Sequence, residues 1–79
     1  DNIELRSVPS NDPEGWEFAN LLYVVGLASS KAEARRFIQQ GGVYIDGARV
    51  MGNSKFIAKR GMSVTLQVGK RKFMQVQFE

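Results

Sequence analysis

An α+β fold, a two-helix corner packed on a small mainly antiparallel sheet of four to five short strands, is predicted for this 79-residue chain by three features. Apolar residues in the first half recur at helical spacing. After Gly41-Gly42 the period falls to two, and the joints between segments carry helix-cap and tight-turn residues. At 43% hydrophobic and 24% charged residues the composition is that of an ordinary globular domain, long enough for one modest core.

Residues 1–15 hold Pro9, Pro13 and Gly15 and show no helical period, so they are expected as an extended leader or linker, with residues 16–79 as the folded domain. Ile3, Leu5 and Val8 are the leader residues able to dock on it. Phe18, Leu21, Leu22 and Val25 fall at i, i+3, i+4 and i+7, one stripe of a first helix that Gly26 ends. Ser30-Lys31-Ala32-Glu33 reads as a capping box, the Ser30 hydroxyl accepting from the Glu33 amide and the Glu33 carboxylate reaching back to the Ser30 amide. It opens a second helix over about 31–40, with Ala34, Phe37 and Ile38 on its apolar face.

Beyond Gly42, Val43-Tyr44-Ile45 and Ala48-Arg49-Val50 flank Asp46-Gly47, the signature of a type I′ hairpin. Residues 51–63 read as irregular, with Phe56 and Ile57 buried. Val64, Leu66 and Val68 alternate with polar residues in one strand, and Met74, Val76 and Phe78 in another, joined by a turn at Gly69-Lys70-Arg71. Phases place Phe18, Leu22, Val25, Phe37, Ile38, Ile45, Leu66 and Val76 in one core. Trp16 and Phe56 are further core candidates, whereas Phe73 and Tyr44 fall out of phase and offer a surface for base stacking or for a neighbouring domain.

Composition also bounds the chemistry. There is no cysteine and no histidine, so disulfides, thiolate metal sites and the commonest acid–base catalyst are all missing, and neither catalysis nor a metal site is expected here. Gly52-Asn53-Ser54-Lys55 faintly resembles a nucleotide-binding loop, but no strand leads into it and no helix leaves it, so it reads as a plain turn. The nearly apolar run Leu21–Ala28 is far short of the roughly 20 residues of a membrane span. No signal peptide is seen and the first residue is not methionine, which suggests a piece of a longer protein.

The net charge of +3 is unevenly spread. Residues 1–17 set Arg6 against five carboxylates, whereas residues 18–79 set ten cations against Glu33, Asp46 and Glu79. An acidic leader and a body of net +7 point to a polyanionic partner. At about 100° per residue, Lys31, Arg35 and Gln39 form one row along the second helix, with Arg36 on the adjoining flank. Ser30 and the first-turn amides add donors where anions are favoured. A solvated face, with Arg36 pairing to Glu33, is the other reading of the same residues. Lys70, Arg71 and Lys72 form a second cluster in the final turn, and Arg49, Lys55, Lys59 and Arg60 lie in the middle hairpin and loop, with no spacing that relates them to the helix.

The segment from Leu27 to Gly47, with Ser30-Lys31-Ala32-Glu33-Ala34-Arg35-Arg36, Gly42-Val43 and Asp46-Gly47, resembles the RNA-binding module named after small-subunit ribosomal protein four. Asp46 stands where many members have asparagine. The ending Val68-Gly69-Lys70-Arg71-Lys72-Phe73-Met74-Gln75-Val76-Gln77-Phe78 is similar to the close of bacterial-type tyrosyl-tRNA synthetases, although Gln75 and Gln77 replace the arginine or valine common there. The resemblance implies an RNA-binding domain that docks between the anticodon stem and long variable arm of tyrosine tRNA. Ser30, Lys31, Arg35, Arg36, Gln39, Lys55, Lys70, Arg71 and Lys72 are the candidate contacts.

It also implies an upstream catalytic domain using ATP and magnesium, with no cofactor in this domain, and a homodimeric parent with a monomeric isolated domain. The expected location is the cytoplasm or the mitochondrial matrix, with no membrane partner. Alternatives are the same module from a pseudouridine synthase or ribosome-associated protein, and a protein-interaction domain for an acidic partner.

Overall fold

The computed structural model of the chain describes residues 3–10, 14–52 and 54–79. Helix α1 spans Phe18–Val24 and helix α2 spans Lys31–Gln39. Both end in the same way. Gly26 and Gly41 adopt positive φ, 87° and 74°, which lets the amide of the following residue bond back to a helix carbonyl. Leu27 N–H donates to the Leu22 carbonyl at 2.9 Å, and Gly42 N–H to that of Phe37 at 3.1 Å. The first cap turns the chain between the two helices, and the second turns it from α2 toward the sheet. Phe18, Leu21, Leu22 and Val25 are buried on one, Ala34 and Ile38 on the other.

The main sheet has five strands: β1 (Glu4–Val8), β3 (Val43–Ile45), β4 (Ala48–Arg49), β6 (Ser63–Val68) and β7 (Lys72–Phe78), in the order β1-β7-β6-β3-β4. All neighbours are antiparallel except β1 and β7, so the sheet is mixed, within the α+β architecture expected. Asp46 and Gly47 have φ of 48° and 87°, the pair of positive values that a type I′ turn between β3 and β4 requires. A side chain also holds this turn, since the Asp46 carboxylate accepts from the Thr65 amide at 2.8 Å. Val64, Leu66 and Val68 of β6 and Met74, Val76 and Phe78 of β7 are buried, and the residues between them point to the other face. The helices lie on the buried face.

A second, two-stranded sheet pairs β2 (Trp16–Glu17) with β5 (Lys55–Phe56), antiparallel, Trp16 opposite Phe56. Phe56 then packs its ring between Phe18 and Phe78, with centroids 5.9 and 5.6 Å away. A Cβ on Gly15 would lie 2.7 Å from the Phe56 carbonyl oxygen, so only glycine lets the chain pass so close to β5. The indole N–H of Trp16 donates to the Pro9 carbonyl at 2.9 Å.

Several expectations need correction. Residues 4–8 of the expected leader are extended but pair with β7, Arg6 opposite Val76, which buries Val8 and leaves Ile3 and Leu5 exposed. Asp1, Asn2 and residues 11–13 lie outside the described residues. Ile57 is 51% exposed rather than buried, because Phe56 and Ala58 take the inward positions around it. Phe37 and Ile45 are half-buried at the rim of the core rather than inside it.

Those burials rank the aromatic contributions. Phe78 is fully buried, so Phe78→Ala is expected to destabilise by about 3–5 kcal/mol. Phe37→Ala, at the rim, is expected to lose less than about 3 kcal/mol. Urea unfolding of both variants checks the order.

Candidate nucleic-acid interface

Burial of Ala34 and Ile38 sets the rotation of α2, and that rotation turns Lys31, Ala32, Arg35, Arg36 and Gln39 to solvent. The Ser30 side-chain oxygen accepts from the Glu33 amide at 3.0 Å, as expected of the cap. The return bond differs from the expectation. The Glu33 carboxylate accepts from the amide of Ser29, not Ser30, at 2.8 Å. Capping thus uses the Glu33 and Ala34 amides and leaves those of Lys31 and Ala32 at the open end of the helix, beside the Ser30 hydroxyl.

The Ser29 amide bond is the main cause that holds the Glu33 carboxyl below its ordinary range. Desolvation opposes it, and the Ser29 hydroxyl and the charges of Arg36 and Lys72 act with it to a smaller extent. Among the described residues the ion pair found joins Arg6 to Glu4, so Arg36 forms no salt bridge with Glu33 and its guanidinium is left to solvent. The solvated-pair reading of that face therefore lacks its ion pair.

Lys72 is the link that spacing did not show. It is not part of the turn but the first residue of β7, opposite Val68. It lines a groove with Gly26 and Leu27, in the corner that leads into α2, and its charge is one of the smaller influences lowering the Glu33 carboxyl. The turn is fastened to the chain just past that helix, where Gly69 N–H donates to the Gly42 carbonyl at 2.7 Å, and within the hairpin the Gln67 side-chain amide donates to the Gly69 carbonyl at 2.8 Å. Lys70 and Arg71 are exposed at the tip of this anchored hairpin.

The other flank of α2 faces the middle loop. Arg35 and Gln39 line one side of a shallow groove whose other side includes Glu17, Gly52 and Ser54. Arg49, which no pattern in the sequence related to α2, continues this flank, its guanidinium carbon 3.7 Å from where a Cβ of Gly41 would stand. Lys55 lies in β5 opposite Glu17 in the ladder, without a salt bridge between the two. The candidate residues thus form two groups. Ser30, Lys31, Arg35, Arg36 and Gln39 on α2 join Lys70, Arg71 and Lys72 on one flank, and Lys55 stands apart across the groove. Among the described residues no set of three histidine, cysteine, aspartate or glutamate residues could hold a metal ion, and no helix is long and apolar enough to cross a membrane.

A capped helix corner on a mixed sheet, with cations along the exposed face of the second helix, is the build of a small polyanion-binding domain. The chain belongs to the S4 domain family, whose sequence profile matches residues 18–64, from α1 into β6. It is also similar to parts of tyrosine–tRNA ligases. That of Thermotoga maritima is 49% identical over 57 residues, covering 72% of this chain and 14% of the relative. That of Francisella tularensis is 48% identical, covering 73% and 14%. That of Shewanella oneidensis is 35% identical, covering 96% of this chain and 21% of the relative. The chain therefore spans about one seventh to one fifth of these relatives. It is an RNA-binding domain of the S4 type.

The Glu33 contact makes a pH prediction. A carboxyl whose pKa is lowered on folding stabilises the fold above its unfolded value, near 4.5, and that contribution is lost as pH falls through the lower folded value. Glu33→Gln keeps an acceptor without the charge, so its melting temperature should lie below the parent's at pH 7, and the gap should close as the pH falls below 4.5 and the carboxyl becomes protonated in both states. Thermal melts over an acid pH series check this.

Proposed function

We propose that the chain is the C-terminal tRNA-binding domain appended to a tyrosine–tRNA ligase, and that it binds tyrosine tRNA between the anticodon stem and the long variable arm. The observation that carries this reading is the exposed cationic face of α2 with the anchored Lys70-Arg71-Lys72 hairpin beside it. Forked guanidinium donors and open first-turn amides suit phosphate oxygens, and a packed helix holds them at little entropic cost on binding. Similarity to relatives named tyrosine–tRNA ligase supports this tRNA over the substrates of a pseudouridine synthase.

In this reading the domain does no chemistry. Aminoacylation, with ATP and magnesium, belongs to an upstream domain of a homodimeric cytoplasmic parent. The appended domain raises the effective concentration of the tRNA at that site and fixes its orientation. Alone it is a monomer.

Titration with tRNA transcripts tests the proposal. A bacterial tyrosine tRNA with a long variable arm should bind more tightly than a tRNA with a short one. With about five phosphates neutralised, log K against log salt should fall with a slope of roughly −3 to −5. Arg35→Ala with Arg36→Ala should lose about 2–4 kcal/mol of binding, more than Lys70→Ala with Lys72→Ala. Of that second pair, Lys72, which lines the groove at the corner leading into α2, should matter more than Lys70. Equal binding of both tRNAs with a flat salt dependence would refute the reading and favour an apolar protein-partner interface.

A further inference from the structure

Strand β1 brings a cation to the sheet that lies outside the S4 match and outside the cluster on α2. Its parallel pairing with β7 sets Arg6 opposite Val76 and Glu4 opposite Met74. Arg6, Arg71 and Lys72 then line one shallow groove between β1, the start of β7 and the corner after α1. Its floor is apolar, from the buried Val25, Leu27 and Met74. One guanidinium nitrogen of Arg6 reaches to 4.0 Å from where a Cβ of Gly26 would stand, so Arg6 lies across the groove toward the helix corner.

We propose that β1 completes a second phosphate-binding groove, in which Arg6 acts with Arg71 and Lys72 on the RNA backbone. The proposal rests on the RNA-binding reading above and extends the contact surface beyond α2. Lys72 lines the groove together with Leu27, three residues before the Ser30 cap of α2, so a sugar-phosphate chain crossing the start of α2 meets the groove next. The occupant is a phosphodiester backbone rather than a base edge. The polar side chains of the lining are Arg6, Arg71, Lys72 and Glu4, a net positive set whose cations suit phosphate oxygens. Glu4 now holds Arg6 in a 4.0 Å pair with the two side chains 54% and 70% exposed. A pair so exposed is weak, and a phosphate can replace the carboxylate at Arg6.

Glu4 and Arg6 therefore act in opposite directions on binding, which a purely structural role of β1 would not produce. The parent chain, Arg6→Gln, Arg6→Lys, Glu4→Gln and Arg35→Ala are titrated with a bacterial tyrosine tRNA transcript over a range of salt, with circular-dichroism melts of each. Arg6→Gln should weaken binding roughly fivefold to tenfold and make the salt slope shallower by about one, Arg6→Lys should retain most affinity, and Glu4→Gln should tighten binding about twofold to fivefold. If Arg6→Gln binds like the parent while Arg35→Ala is weakened, the groove is unused and the inference fails, with RNA binding at α2 intact. Equal loss in Arg6→Lys and Arg6→Gln would mark a packing role and also overturn it. No tRNA binding by the parent chain would remove the reading and the inference together.

Discussion

The rotation of one short helix decides what this domain presents to a partner. Ala34 is fully buried and Ile38 nearly so, one turn apart on α2. Alanine at that position lets the helix lie close to its neighbours, and a helix of 9 residues has no second apolar stripe with which to dock differently. Once those two side chains face inward, Lys31, Arg35 and Gln39 must face water. The cationic surface is thus a consequence of packing. It persists as long as the core does, without ion pairs to hold it.

Backbone hydrogen bonds make that surface stiff. Both helices close with glycine at positive φ, and the second closure delivers Gly42 to the Gly69 amide. The final hairpin is therefore tied to the chain just past α2, and Lys72, the first residue of β7, lines the groove at the corner leading into α2. Glu33 is occupied by the Ser29 amide, so the one carboxylate of α2 stabilises the helix entrance without capturing a neighbouring cation. A phosphate backbone meets charges already held in place, and less freedom is lost on binding.

Much of this was legible in the residues, and the remainder was hidden for a common reason. The Ser30 cap, the glycine stops, the Asp46-Gly47 turn and the alternation of β6 and β7 are local signals, and each element stands where those residues place it. What escaped depends on pairing across long separations. Glu4–Val8 looks like a linker ahead of Pro9 and Pro13 until β7 supplies a partner more than sixty positions away. The Trp16–Phe56 ladder joins two residues of which neither segment alternates long enough to announce a strand. Phe37 and Ile45 are in phase with the core, yet phase does not say how near the rim an element lies. For the same reason the juxtaposition of Lys72 with the corner leading into α2, and the positions of Arg49 and Arg6, had no signal in spacing. They follow from the sheet order.

The central claim is that RNA lies across the exposed face of α2 and the neighbouring hairpin. Backbone amide NMR of the chain during titration with a bacterial tyrosine tRNA tests it most directly. The predicted result is that the largest shifts and broadening fall on Ser30–Arg36 and Gly69–Lys72, with little change at Thr65, Gln75 and Gln77 on the open face of the sheet. Perturbations centred on those sheet residues, with α2 unaffected, would contradict the account.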